Sequence, residues 1–307
     1  MRPAHLGVLG AIVMVAAGSP VVAATGDCSD AEKALEYWRP VREAVVAGED
    51  QPVNQLAVEL VPCLGSPDSE LRDRIGYELL TYWLRSGNLT DETRRALLTS
   101  LSERIAAPPG PPPDAAALSR SFSALILSEL MRSDAEKEFM SEGERSELLE
   151  NGLGALARET DYRGLEEDVG WVHPVAHESD LLWRFALHPK TTGEQATAIL
   201  DGLTGKVAPV EVFYGFNEGD RMARVAATLI ERDLVGSSEI VSWLASFEAP
   251  RSMAAWSEAF ASRERMAELH NAKQFLRALD SQLGNLELGP GVEKQLETSL
   301  QVFADLV

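Results

Sequence analysis

Gly170-Trp171-Val172-His173-Pro174-Val175-Ala176-His177-Glu178-Ser179-Asp180-Leu181-Leu182-Trp183-Arg184-Phe185-Ala186-Leu187 decides how this chain is read. Pro174 suits the first position of a helix, which places His173 at or beside the N-cap and carries the helix to about Leu187. At about 100° per residue, His173, His177, Asp180 and Arg184 share a stripe about 60° wide. Val175, Ala176, Leu181, Leu182, Trp183, Phe185, Ala186 and Leu187 occupy the rest of the circumference. A helix apolar on nearly all sides is buried. Its polar stripe therefore faces either a cleft or a satisfied internal network.

Helix signals extend outward in both directions. Ser66-Pro67-Asp68 opens a run with Leu71, Ile75, Leu79, Tyr82 and Trp83 that Gly87 closes. Thr90 and Thr93 flank the next start, Asp114 caps a strongly apolar run to Leu130, and Ser141/Glu144 and Thr191/Glu194 read as capping boxes. Further helical runs cover about 218–232, 239–248, 253–283 (broken) and 291–306. Only Val210-Glu211-Val212-Phe213-Tyr214 reads as extended. The fold class is therefore all-α. Helices of this length joined by short turns argue for an α-α superhelix, HEAT- or armadillo-like, with degenerate repeats.

The N-terminus reads as a secretory signal over 1–24. Arg2 precedes a short apolar run from Leu6 to Ala17, and Val22-Ala23-Ala24 supplies small residues before the cut. The run is shorter than the ~20 residues that span a bilayer. The organisation expected after it is a helical N-terminal lobe (25–106), a stiff Pro-rich connector (107–113) and a C-terminal helical lobe (114–307), read as one continuous superhelix with the first. With 28 basic and 48 acidic residues, the net charge of −20 disfavours nucleic acid and anionic membrane as partners. Cys28 and Cys63 are the two cysteines. In an exported chain, periplasmic or extracellular, they predict a disulfide that contributes about 3–4 kcal/mol through loop closure.

Three readings compete for the polar stripe. His173 and His177 have the i, i+4 spacing of helical zinc sites, but Asp180 lies roughly 10 Å along the axis from His173. Asp180 is thus better placed to orient His177, with a third ligand drawn from Glu159, Asp161, Glu166, Glu167 or Asp168. In a purely structural arrangement, His173 caps its helix, His177 pairs with Asp180, and Asp180 bridges to Arg184. Glu159, Asp161 and Arg163 then form a buried ion network, and Arg120 needs one of those acids. In the third, His177 is a general base with Asp180 and Glu159 in support, or Arg163 and the carboxylates clamp a polar ligand. The turn Phe213-Tyr214-Gly215-Phe216-Asn217-Glu218-Gly219-Asp220-Arg221 offers aromatics beside Glu218 and Arg221, either as a ligand wall with Trp171 or as a loop anchor.

Pro67-Asp68-Ser69-Glu70-Leu71-Arg72-Asp73 with Tyr77, Ser119-Arg120-Ser121-Phe122-Ser123, Glu159-x-Asp161-x-Arg163-Gly164 leading into Gly170-Trp171-x-His173 and Ala176-His177-x-x-Asp180, and Glu218-x-x-Arg221 together resemble the bacterial domain of unknown function 2785 family. The resemblance covers about residues 60–240 and implies an all-helical, HEAT- or armadillo-like fold. It implies no particular activity. The function expected is a binding or interaction module for a peptide, protein or small polar ligand. The alternative is a hydrolase, metal-assisted (zinc) or based on His177 and a carboxylate.

Overall fold

The computed structural model describes residues 27–210 and 212–306. The expected leader and Glu211 lie outside the described residues. Among them the chain forms twelve α-helices: α1 (Ala31–Val46), α2 (Val53–Leu60), α3 (Glu78–Arg85), α4 (Asp91–Ala106), α5 (Ala117–Glu136), α6 (Glu142–Arg158), α7 (Pro174–Leu187), α8 (Gly193–Val207), α9 (Glu218–Glu231), α10 (Ser237–Ala245), α11 (Arg263–Leu283) and α12 (Val292–Ala304). Short 3-10 turns at Val61–Gly65 and Trp256–Ala261 and a π-helix at Glu70–Tyr77 complete the helical inventory. The all-α reading is correct.

Sequence chemistry sets five of the twelve helix starts through side-chain caps. Asp30, Thr90, Ser141 and Ser262 each accept the backbone N–H three residues on, and Ser141 with Glu144 closes the expected capping box. The second box sits one residue later than expected, at Thr192 and Gln195. Asp114 is also displaced from its expected role. It ends three residues before α5, where its Oδ1 accepts the Ala116 N–H.

The helices stack in two rows. α5, α7, α9 and α11 pack in succession, while α4, α6 and α8 lie behind them. α4 and α5 pack directly on each other, so the Pro-rich connector joins neighbours. Trp38, Trp83, Phe185, Phe275 and Phe303 are among the fully buried side chains that fill the interior. Burial of each such side chain contributes roughly 1.5–3 kcal/mol. Cys28 and Cys63 form the expected disulfide, which ties the start of α1 to the 3-10 turn after α2. No described helix is long and apolar enough to cross a membrane.

Among the described residues the only strands are β1 (Leu165–Glu166) and β2 (Gly170–Trp171), paired antiparallel with Leu165 opposite Trp171. Among the described residues, no strand forms at Val210 or from Val212 to Tyr214. That segment instead anchors on α11: Asn271 donates to the Val212 carbonyl and accepts the Tyr214 N–H. One side chain thus takes over the pairing a neighbouring strand would have supplied.

Candidate functional site

α7 is buried along its length, as its composition requires. The β1–β2 hairpin delivers it: Val172 N donates to Gly164 O at 2.9 Å and His173 N to Arg163 O at 3.1 Å. His173 is the N-cap residue, in a left-handed conformation (φ 48°), and its side chain caps nothing. The expected capping role is therefore not performed. Asn217 repeats this geometry before α9 at φ 68°, so two helix starts carry left-handed residues of the kind that costs about 1 kcal/mol or more.

Ser121 orients His177. The Ser121 hydroxyl lies 2.5 Å from the Val172 carbonyl and 2.7 Å from His177 Nδ1. A carbonyl can only accept, so the hydroxyl proton is committed to Val172 and Nδ1–H donates to Ser121 Oγ. Nε2 is left as the acceptor lone pair. It makes no hydrogen bond among the described residues, and it is not among the atoms sealed from solvent, with His177 keeping 9% of its surface. Burial, the nearby His173 ring and the positive Arg221 and Arg72 push the His177 pKa down to about 3. The ring is neutral at physiological pH. Phe122 meets it edge-on at 5.2 Å between centroids.

His173 stacks under the half-exposed Trp171 at 5.0 Å and meets His177 at 5.7 Å. Its Nε2 stands 3.5 Å from Glu218 Oε1, an ion-pair distance but too long for a good hydrogen bond, and it has no other partner. Backbone N–H donors and the His173 side chain hold the Glu218 carboxyl below its usual range against the opposing effect of burial. Phe216 completes an aromatic rim, edge-on to Trp171 at 5.8 Å. Gly164 makes this possible: a Cβ there would sit 1.9 Å from a Phe216 ring carbon.

Asp180 does not orient His177. Its carboxylate is clamped by Arg221 Nη1 at 2.5 Å and by Arg224, both reaching from α9. Arg184 does not bridge to Asp180 either; it pairs with Glu129 on α5. Two arginines converge on Asp180 from a neighbouring helix, and cross-helix packing outcompetes the i, i+3 and i+4 contacts that spacing alone suggests.

Glu159 and Asp161 belong to a separate network, as does Arg163. Arg120 grips Glu159 through Nη2 at 2.8 Å and Asp114 through Nη1 at 2.6 Å. Arg163 chelates Asp161 and donates to the Asp114 carbonyl, and Asp161 accepts the Asp114 N–H. The acceptor sites of Glu159 and Asp161 are filled by guanidinium and backbone donors. Among the described residues no three His, Cys, Asp or Glu side chains are arranged to hold a metal ion. The zinc reading keeps only the two histidine rings.

Ser121, Arg72, Asp73 and Arg224 had no role in the sequence reading. Arg72 lies fully buried on the π-helix, where it donates to Ser66 O, Asp73 and the hairpin carbonyl of Val169 at 2.8 Å. π-helical turns recur at functional sites because the extra residue re-aims side chains. The signal for Arg72, Asp73 and Ser121 was present in motif segments 67–73 and 119–123, but nothing in their spacing says which side chain meets His177, and Arg224 lies in no such segment.

Four segments far apart in sequence thus converge on one neutral histidine. Residues 111–280 match the profile of a family described as a protein of unknown function (DUF2785). The chain belongs to this family. The match spans more than half the chain and includes Ser121, His173, His177, Asp180, Glu218 and Arg221; Arg72 and Asp73 lie outside it. No curated protein and no solved structure matches.

Proposed function

We propose that this is an exported binding module, an α-α superhelix of HEAT- or armadillo-like character, whose cleft at His173 and His177 takes a polar ligand that donates a hydrogen bond to His177 Nε2. The two-row stacking and the direct α4–α5 contact support one continuous superhelix. The signal-like N-terminus and the disulfide support export. The observation that carries the reading is the Val172–Ser121–His177 chain, which fixes the tautomer and leaves Nε2 as an acceptor that no described residue claims.

Binding fits this geometry better than hydrolysis. Ser121 and His177 superficially pair like a nucleophile and its base. Ser121 is fully buried and its proton is committed to a carbonyl, so it orients the ring and does not attack. A ring held near pKa 3 is also a weak general base at neutral pH, where efficient bases sit near the working pH.

Diethyl pyrocarbonate, which acylates accessible neutral imidazole, tests the cleft. His177 should be labelled at pH 5 nearly as fast as at pH 7, because its ring stays neutral, whereas free N-acetylhistidine in the same solution should slow as its imidazole protonates. A His177 that stays unlabelled while the N-acetylhistidine reacts would mean a sealed ring and no cleft.

A further inference from the structure

Beside the cleft, the outward side of α3, α5, α7 and α9 carries a continuous arginine strip in a chain of net charge −20. Its base is two carboxylates, Glu129 and Asp180, whose side chains are 4% and 11% exposed. Arg85 bonds Glu129 at 2.7 Å, and Arg184 and Arg132 reach the same carboxylate at 3.4 and 3.8 Å. Arg221 and Arg224 hold Asp180. Trp183 links the two halves: Arg224 and Arg184 stand over its ring at 3.8 and 4.7 Å. The guanidinium side chains are 48%, 19%, 34%, 38% and 34% exposed for Arg85, Arg184, Arg132, Arg221 and Arg224.

The strip holds more positive charge than its foundation requires. Five arginines stand over two buried carboxylates, and among the described residues only Glu136, paired to Arg132 at 2.9 Å, adds a third acid. Arg221 and Arg184 oppose the charge on Arg224, which burial already disfavours, so these side chains crowd one another at a cost. Asp180 takes one nitrogen each of Arg221 and Arg224, and the other guanidinium donors of these two have no protein acceptor among the described residues. With negative charge beneath and positive charge outward, the surface presents donors in the fork geometry that reads carboxylates.

We propose that this strip is a docking surface for an extended acidic peptide segment. Three interhelix steps of about 8–10 Å give a track of roughly 25 Å, too long for one small anion. At about 3.3 Å per residue it matches seven or eight residues of extended chain, with acidic side chains taken by the arginines. Trp183 and the half-exposed Tyr82 on α3 supply apolar contact along the track. The inference rests on the strip alone. It shares Asp180 and Arg221 with the neighbourhood of the His177 cleft but does not depend on it.

The test is fluorescence anisotropy with a labelled octapeptide of alternating Glu and Ser, against an alternating Gln and Ser peptide and a linear polyphosphate. The acidic peptide should bind selectively and weaken steeply as salt rises from about 50 to about 300 mM, because exposed charges are screened. R184Q/R221Q should lower its affinity about tenfold, the sum of two contacts near 0.7 kcal/mol each. This variant leaves Glu129 with Arg85 and Asp180 with Arg224, so no buried acid is stranded. R184K/R221K should recover much of the binding, and R251Q, outside the strip, should leave it unchanged. Equal affinity for the neutral peptide, equal loss in R251Q, or tighter binding of polyphosphate through the same arginines would each overturn the assignment. So would concentration-dependent self-association that accounts for the whole signal. Because carbethoxylation reads the cleft and anisotropy reads the strip, either can fail while the other stands.

Discussion

Two polar clusters flank the Pro174–Leu187 helix, and they differ in whether their hydrogen bonds close. In the Asp114–Arg120–Glu159–Asp161–Arg163 network, every charged group meets an opposite charge or a backbone partner. In the His173–His177 cluster, His173 Nε2 is sealed without a hydrogen bond, and no described residue bonds His177 Nε2. The first network welds the Pro-rich connector to the loop after α6. The second has capacity left over, and unclaimed capacity in a buried polar group is where a ligand gains most.

Breaking the closed network should give the largest effect. Glu159→Ala leaves buried Arg120 with Asp114 alone and should cost about 3 kcal/mol in urea denaturation. A change below about 1 kcal/mol would show that the network is not a weld.

Gly164→Ala attacks the rim between the clusters. The new methyl collides with Phe216, which must leave Trp171 and His173, and the overpacking should cost about 1–3 kcal/mol. Trp171 fluorescence should shift with it. An unchanged spectrum and melting temperature would show that Phe216 is not packed there.

The pH dependence of stability separates the open cluster from the closed one. An unfolded His177 titrates near 6.5, whereas the native ring resists protonation down to about 3. Its contribution is complete above pH 6.5 and is lost as pH falls through that window, because the unfolded chain then binds the extra proton. The carboxylates held low, such as Glu129 and Glu218, act below their ordinary value of 4.5. Between pH 6.5 and 4.5, wild type should therefore lose stability more steeply than His177→Gln. Parallel melting curves across that window would refute the depressed ring.

Glu178 gives the smallest effect and the opposite sign. It neighbours Glu159 across the helix and is equally buried, yet its Oε2 has no partner. Burial and the nearby Glu159 charge raise its pKa well above 4.5, with Lys206 opposing. Its native state keeps a proton the unfolded chain releases, so stability falls as pH rises above 4.5. Glu178→Gln should match wild type near pH 4 and exceed its melting temperature increasingly toward pH 8. A uniform loss at all pH values would mean that the carboxylate makes a contact worth keeping.

Period and capping chemistry carried the sequence reading far. The all-apolar circumference of Val175–Leu187 required a buried helix, and Pro174 and Leu187 are its actual ends. Thr90, Ser141 and Ser262 start helices because their hydroxyls satisfy N–H groups that any helix leaves open. These are local rules, and they hold wherever the chain goes. Partner choice is not local. Asp180 sits three residues from His177 and four from Arg184, and it binds neither, because Arg221 and Arg224 arrive from α9. Arg120 finds the expected acid in Glu159, since few buried acids were on offer, but Asp114 was not foreseen as the second.

The sequence by itself determined that this chain is helical and where its central buried helix runs, because periodicity and capping act within a few turns of chain, and its two cysteines allow a single pairing, Cys28 with Cys63. Only the tertiary structure decided that Ser121 holds His177, that Glu159 and Asp161 close a network of their own, and that five arginines line one face. Those outcomes depend on which helices pack side by side, and a side chain some forty or more residues away wins whenever packing brings it closer than the next turn.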